Sequence, residues 1–152
     1  MLLRGLFALP VILSFFAYML NPRWMAWSMM PLPIWVRWVG VGLGTTSIPL
    51  LWWVFSSIGS NISETVLTKR EHSLITSGAF RWVRHPLYSV TILLFGSYSV
   101  IASNWWMMLF IALALVMIVG VVIPREEEAL VARFGKEYED YRGRAGRLLP
   151  WT

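Results

Sequence analysis

From Leu87 to Ile123 the chain carries no charged residue, and Ser103-Asn104 separates two predominantly apolar runs. Such a segment predicts two apolar helices, 87–102 and 105–123, folded back on each other as a tight antiparallel hairpin. Two earlier runs, 2–20 and 34–58, are close to or beyond the ~20 residues that carry a helix across a bilayer. Hydrophobic residues make up 57% of the 152 and charged ones 14%. A soluble fold of this size has too little interior for so much apolar surface. The pattern predicts an all-α integral membrane protein with four transmembrane helices, a single domain over 1–152.

The first run has a competing reading as a signal peptide, since Arg4 precedes an apolar middle. No small-residue cleavage site stands before Asn21-Pro22-Arg23, which favours a retained helix. Residues 21–33, with Trp24, Trp27 and several Met between prolines, read as a segment lying at the interface. In the second run Gly40, Gly42 and Gly44 suit close helix approach, Pro49 suits a kink, and Arg37 suits snorkelling to the interface.

The basic residues set the expected orientation. Arg4, Lys69, Arg70, Arg81, Arg84, Arg125, Arg133, Lys136, Arg142, Arg144 and Arg147 fall on one side of the spans, and only Arg23 and Arg37 on the other. That asymmetry places both termini, the 59–86 loop and a C-terminal helix over 125–142 in the cytoplasm. The net charge of +5 is spread over juxtamembrane segments, which argues against a nucleic-acid partner and for membrane lipids. The absence of cysteine excludes a thiolate nucleophile and a cysteine zinc site. His72 and His85, far apart, make no metal-ligand pair.

Two polar stretches remain. One runs from His72 to Tyr88 and ends in Arg84-His85-Pro86, where the third apolar run begins. Pro86 holds His85 away from helical geometry and opens the following helix, leaving Arg84 and His85 at its positive end. Tyr88, one turn in, points a hydroxyl to the same place. Arg, His and Tyr are also ordinary markers of a membrane boundary, and composition alone leaves that reading open. The other stretch runs from Arg125 to Tyr138. Leu130, Phe134, Tyr138 and Tyr141 recur there at helical spacing behind Glu126, Glu127 and Glu128. Acids at a helix start are stabilising by themselves; at a membrane boundary facing the bundle they are also candidate functional groups.

His72 to Tyr88 resembles the cofactor loop of the isoprenylcysteine carboxyl methyltransferase family, integral membrane methyltransferases that use S-adenosylmethionine. Related phospholipid methyltransferase-like enzymes are similar. Glu126-Glu127, Leu130, Phe134-Gly135, Glu137-Tyr138 and Tyr141 resemble the family's second signature, and Arg147-Leu148-Leu149-Pro150 its usual ending. The likeness covers roughly residues 60 to 150.

The resemblance implies a cofactor site formed by His72, Ser73, Leu74, Ile75, Phe80, His85, Pro86, Leu87, Tyr88 and Glu126, with Glu127 as the catalytic residue nearer the acceptor. It implies methyl transfer to a lipophilic small molecule, lipid or lipidated substrate entering from the bilayer, at a site facing the cytoplasm. Phe80 stands where the family often has Tyr, so a hydroxyl is missing there. Val122 stands where the family usually has an Arg directed at a substrate carboxylate, and Val90 where it often has Gly. The Val122 departure slightly favours one alternative, a phospholipid or small-amine N-methyltransferase; a non-enzymatic membrane protein that retains the fold is the other.

Overall fold

The computed structural model describes residues 2–58 and 74–150, with side chains from Leu9 onward. His72 and Ser73 lie outside the described residues. The described chain is helical, without a named strand: α1 (Leu2–Leu20), α2 (Ile34–Ile58), α3 (Pro86–Ala102), α4 (Trp105–Met117), α5 (Ile123–Phe134) and α6 (Lys136–Arg142). Short 3-10 turns cover Pro22–Ser28 and Gly78–Arg81. By length and composition, α2 and the continuous helical stretch Trp105–Phe134 are sufficient to cross a membrane; Leu9–Leu20 and Pro86–Ala102 are shorter apolar helices. Large apolar side chains such as Trp35, Trp38, Trp52 and Val116 project outward. Water would penalise that arrangement and lipid would not.

Helices α2 and α3 lie closest together. A Cβ at Gly40 would come within 3.1 Å of Ser97 O, and one at Gly44 within 3.0 Å of Ser97 Oγ. These two glycines, one turn apart, form the contact face. Gly42 has nothing within 4 Å and takes no part, contrary to the expectation from sequence. Arg37 Nε donates to Ile101 O at 3.0 Å, placing a cation at the carbonyl end of α3.

The helices tie together at two ends. At one end lies the α3–α4 turn, where Ser103 adopts φ 51 and Asn104 caps α4. Asn104 is fully buried and donates to Ser28 Oγ at 2.7 Å, while its own oxygen accepts from Met107 N at 3.1 Å. Met25, Ala102 and Met107 form a core there, packed against Phe15, Tyr18, Tyr98 and Trp106. At the other end, Val54, Ala79 and Val90 join α2, the 78–81 turn and α3, and Ser57 Oγ accepts from Ala79 N at 2.9 Å.

The second half of the chain corrects two expected boundaries. The helix beginning at Trp105 does not stop at Pro124 but continues through a π-helical turn, Ile118–Val122. Pro124 has no N–H to donate to Gly120, and just before it the ladder widens, with Ile123 N bonding Ile118 O. The expected single helix over 125–142 is two, because Gly135 adopts φ 54, ψ −126 and ends α5. Beyond α6, residues 143–148 fold back on the start of α3, and Val83 pairs with Gly146 in a parallel bridge.

Candidate functional site

The site is built where α3 begins. His85 is the residue before the helix, with φ −123, ψ 57, and Pro86 occupies the first turn. His85 is thus non-helical, as the residue before a proline is expected to be, although its ψ falls short of the extended range, and Pro86 opens the helix. The corner is held from behind by the 143–148 segment. Arg84 N donates to Gly146 O at 2.8 Å and His85 N to Arg147 O at 3.1 Å. Gly146 N returns a bond to Trp82 O at 3.1 Å, and Ser89 Oγ donates to Leu148 O at 2.5 Å.

Against this corner stands the start of α5. Tyr88 OH donates to Glu126 Oε1 at 2.8 Å. The His85 ring sits between two carboxylates, with Nδ1 3.6 Å from Glu126 Oε2 and Nε2 3.5 Å from Glu127 Oε1. Both distances are long for a hydrogen bond, and the buried Nε2 has no partner of that kind. His85 and Tyr88 stack with ring centres 5.9 Å apart. Burial pushes the imidazole below its ordinary range; it outweighs the upward pull of Glu126 and Glu127, and Arg84 adds to it. The neutral ring is therefore favoured near pH 7.

The two acids differ in environment. Glu126 keeps 31% of its side chain exposed, whereas Glu127 keeps 7%. Glu127 is held by Arg84 Nε at 3.1 Å and Arg147 Nη2 at 3.4 Å. Behind it, Tyr138, Tyr141 and Ala145 form a core with Leu130, Val131, Phe134 and Leu74. Burial, then Glu127, push the Tyr138 phenol up to about 12. Burial, then Tyr138, do the same to Tyr141, whose hydroxyl donates to Phe80 O at 2.6 Å.

Of the residues expected from sequence, His85, Tyr88, Glu126 and Glu127 thus come together, with Pro86 buried beside them and Leu87 outward-facing. Leu74 packs on the tyrosine core, and Ile75 and Phe80 are half-buried nearby in sequence. Sequence reasoning put Arg84 beside His85 at the positive end of the helix without giving it partners, and gave no site role to residues 145–148. The charge of Arg84 immediately before an apolar helix was a signal for the first; backbone pairing leaves no signal for the second.

The sequence model of the isoprenylcysteine carboxyl methyltransferase (ICMT) family matches residues 40–132. The chain belongs to this family. The matched range starts inside α2, earlier than the likeness read from the polar stretches, and ends within α5 after the acidic pair. Among ICMT-family relatives, a protein-S-isoprenylcysteine O-methyltransferase of Dictyostelium discoideum is 27% identical over 117 residues, covering 60% of this chain and 46% of the relative. Methanethiol S-methyltransferase 1 of Bradyrhizobium diazoefficiens is 36% identical over 73 residues, covering 47% of this chain and 24% of the relative. The chain therefore spans less than half the length of these curated relatives. A solved structure of the eukaryotic intramembrane Ras methyltransferase ICMT superposes with a TM-score of 0.66 at 22% identity, over 97% of this chain and 52% of that one. The ICMT fold is thus shared along nearly the whole chain.

Proposed function

We propose that this ICMT-family protein transfers a methyl group from S-adenosylmethionine to a lipophilic acceptor at the membrane. The observation that carries the reading is the meeting of His85, Tyr88 and Glu126 across two distant segments, next to the open N-terminus of α3. When bound, S-adenosylmethionine supplies a methyl group already activated by its sulfonium. The chain's task is then to position, desolvate and balance charge. The half-exposed Glu126 carboxylate, oriented by Tyr88, suits a cationic or hydroxyl group of the donor. The first N–H groups of α3, beside the buried His85 ring, suit its polar atoms. Pro86, Leu87 and the segment from His72 through Ile75 and Phe80 complete the cofactor lining in this reading. A neutral His85 avoids adding a positive charge beside a cationic ligand.

The reading includes a multi-pass arrangement of four spans in a single domain, with the termini and the site on the cytoplasmic side. The clustering of basic residues at the His85 end supports it. A shallow apolar groove of about 250 Å³ between α1 and α3, lined by Ile12, Phe15, Leu94 and Phe95, is the kind of surface a lipophilic acceptor requires.

A second acceptor class has its own support. Val122 is buried and apolar where the resemblance leads one to expect an Arg for a carboxylate. A neutral acceptor, an amine or a thiol as in the relative named methanethiol S-methyltransferase, fits that substitution. Calorimetry in detergent tests the donor site: S-adenosylhomocysteine binds the wild type, and His85→Ala or Glu126→Ala abolishes the heat. No heat with the wild type at millimolar ligand refutes the enzyme reading. Incubation with labelled donor and membrane extract separates the acceptors, since an ester releases its label in base and a methylated amine keeps it.

A further inference from the structure

Arg84 is the residue through which three elements meet. Its Nε reaches Glu127 Oε1 on α5 at 3.1 Å. Its Nη1 donates to Arg142 O at the end of α6, at 2.7 Å, and to Ala145 O at 2.6 Å. Its backbone N–H bonds Gly146 O. The side chain is 9% exposed. Burying a guanidinium is costly and is repaid only by good geometry to several acceptors. Arginine's rigid fork meets that need, whereas a lysine ammonium is a single point charge on a flexible stem.

Arg84 also directly precedes His85, and Glu127 Oε1 is shared between the Arg84 guanidinium and the His85 ring. A displacement of Arg84 therefore moves both a carboxylate beside the imidazole and the backbone that carries it. We propose that Arg84 is a positioning residue for the methyl-donor site: it clamps Glu127 and residues 142–146, and through them fixes the His85 ring opposite Glu126. Glu127 then serves as the anchor of the clamp, with Arg147 on its second oxygen. The link to the donor rests on the proposed function; the clamp itself does not.

The groups that face His85 are Arg84 before it, Tyr88 on α3, and Glu126 and Glu127 on α5, with Arg147 engaging Glu127 from the far side. Of these, Arg84 opposes protonation of the ring and the two acids favour it.

The chain has only two histidines, so imidazole resonances of the detergent-solubilised protein can be assigned with His72→Gln. Arg84→Gln is expected to raise the His85 titration midpoint, because the opposing charge is lost. Arg84→Lys keeps the charge but not the fork, so it is expected to let the His85 midpoint rise toward its ordinary 6.5 as the ring leaves its fixed, buried seat, and to weaken S-adenosylhomocysteine binding roughly tenfold to a hundredfold. Wild-type affinity in folded Arg84→Lys, or an unmoved midpoint in folded Arg84→Gln, overturns the proposal. If Arg84→Gln does not fold, the Arg84→Lys affinity decides alone. If the wild type fails to bind S-adenosylhomocysteine, the donor reading falls, and the ligand-free titration still tests the clamp.

Discussion

The Tyr88 hydroxyl donates to Glu126 Oε1 at 2.8 Å, joining the first turn of α3 to the first turn of α5 across 38 positions of sequence. It fixes which way the more exposed of the two acids points. Tyr88→Phe removes one donor from that carboxylate and leaves the ring stacked on His85. A hydrogen bond to a charged group contributes roughly 1.5–3 kcal/mol. Calorimetry is therefore expected to show S-adenosylhomocysteine bound about tenfold more weakly or worse. Unchanged affinity would remove the pair from the binding site.

His85 makes stability depend on pH in a defined direction. Its folded midpoint lies below the ordinary 6.5 because burial dominates. Between that lowered midpoint and 6.5 the unfolded chain takes up the proton more readily than the folded one. The stabilisation is thus complete above 6.5 and declines as pH falls through the window. Thermal unfolding in detergent should show the transition falling on mild acidification. His85→Asn should flatten that dependence.

Asn104 tests the far end of the bundle. Its amide donates to Ser28 and its oxygen caps α4, both while fully buried. Asn104→Ala loses a cap and leaves Ser28 one partner fewer. Caps contribute ~1 kcal/mol and buried polar groups stripped of partners cost ~1–3 kcal/mol. Unfolding in detergent should show a loss of about 2–4 kcal/mol. The folded fraction should retain its donor affinity, since the change lies at the opposite end of α3.

Gly78 adopts φ +61, and a Cβ there would collide with the Ser57 side chain. Gly78→Ala is expected to strain the 78–81 turn and break the Ser57–Ala79 bond, at a cost of ~1–3 kcal/mol. Gly78→Ala combined with Ser57→Gly should recover the steric part only. Equal stability of the single and double variants would refute the collision.

The helices were legible because each buries or exposes a long apolar run, and Pro86 and Asn104 mark their starts by side-chain chemistry. The convergence of His85 with Glu126 followed from reading the two polar stretches onto one end of the hairpin. The division of labour within the acidic pair came only from the resemblance, which gives Glu126 to the cofactor and Glu127 to the acceptor. Glu126 and Glu127 are identical in type and adjacent, and only the fold gives one of them two arginines. The helix break at Gly135 had a signal, a glycine closing an apolar-periodic run, which the longer tyrosine periodicity overrode. The π turn had only Pro124 to announce it, and proline is equally compatible with a stop. The pairing of Val83 with Gly146 runs through backbone atoms that every residue possesses.

That last pairing sets an order of assembly. Gly146, Arg147 and Leu148 emerge from the ribosome after every helix described, yet their carbonyls receive the N–H groups of Arg84 and His85 and the hydroxyl of Ser89. A nascent chain that already carries every one of those helices still lacks the acceptors that shape the histidine corner. The corner takes its final form only once those three residues have been made.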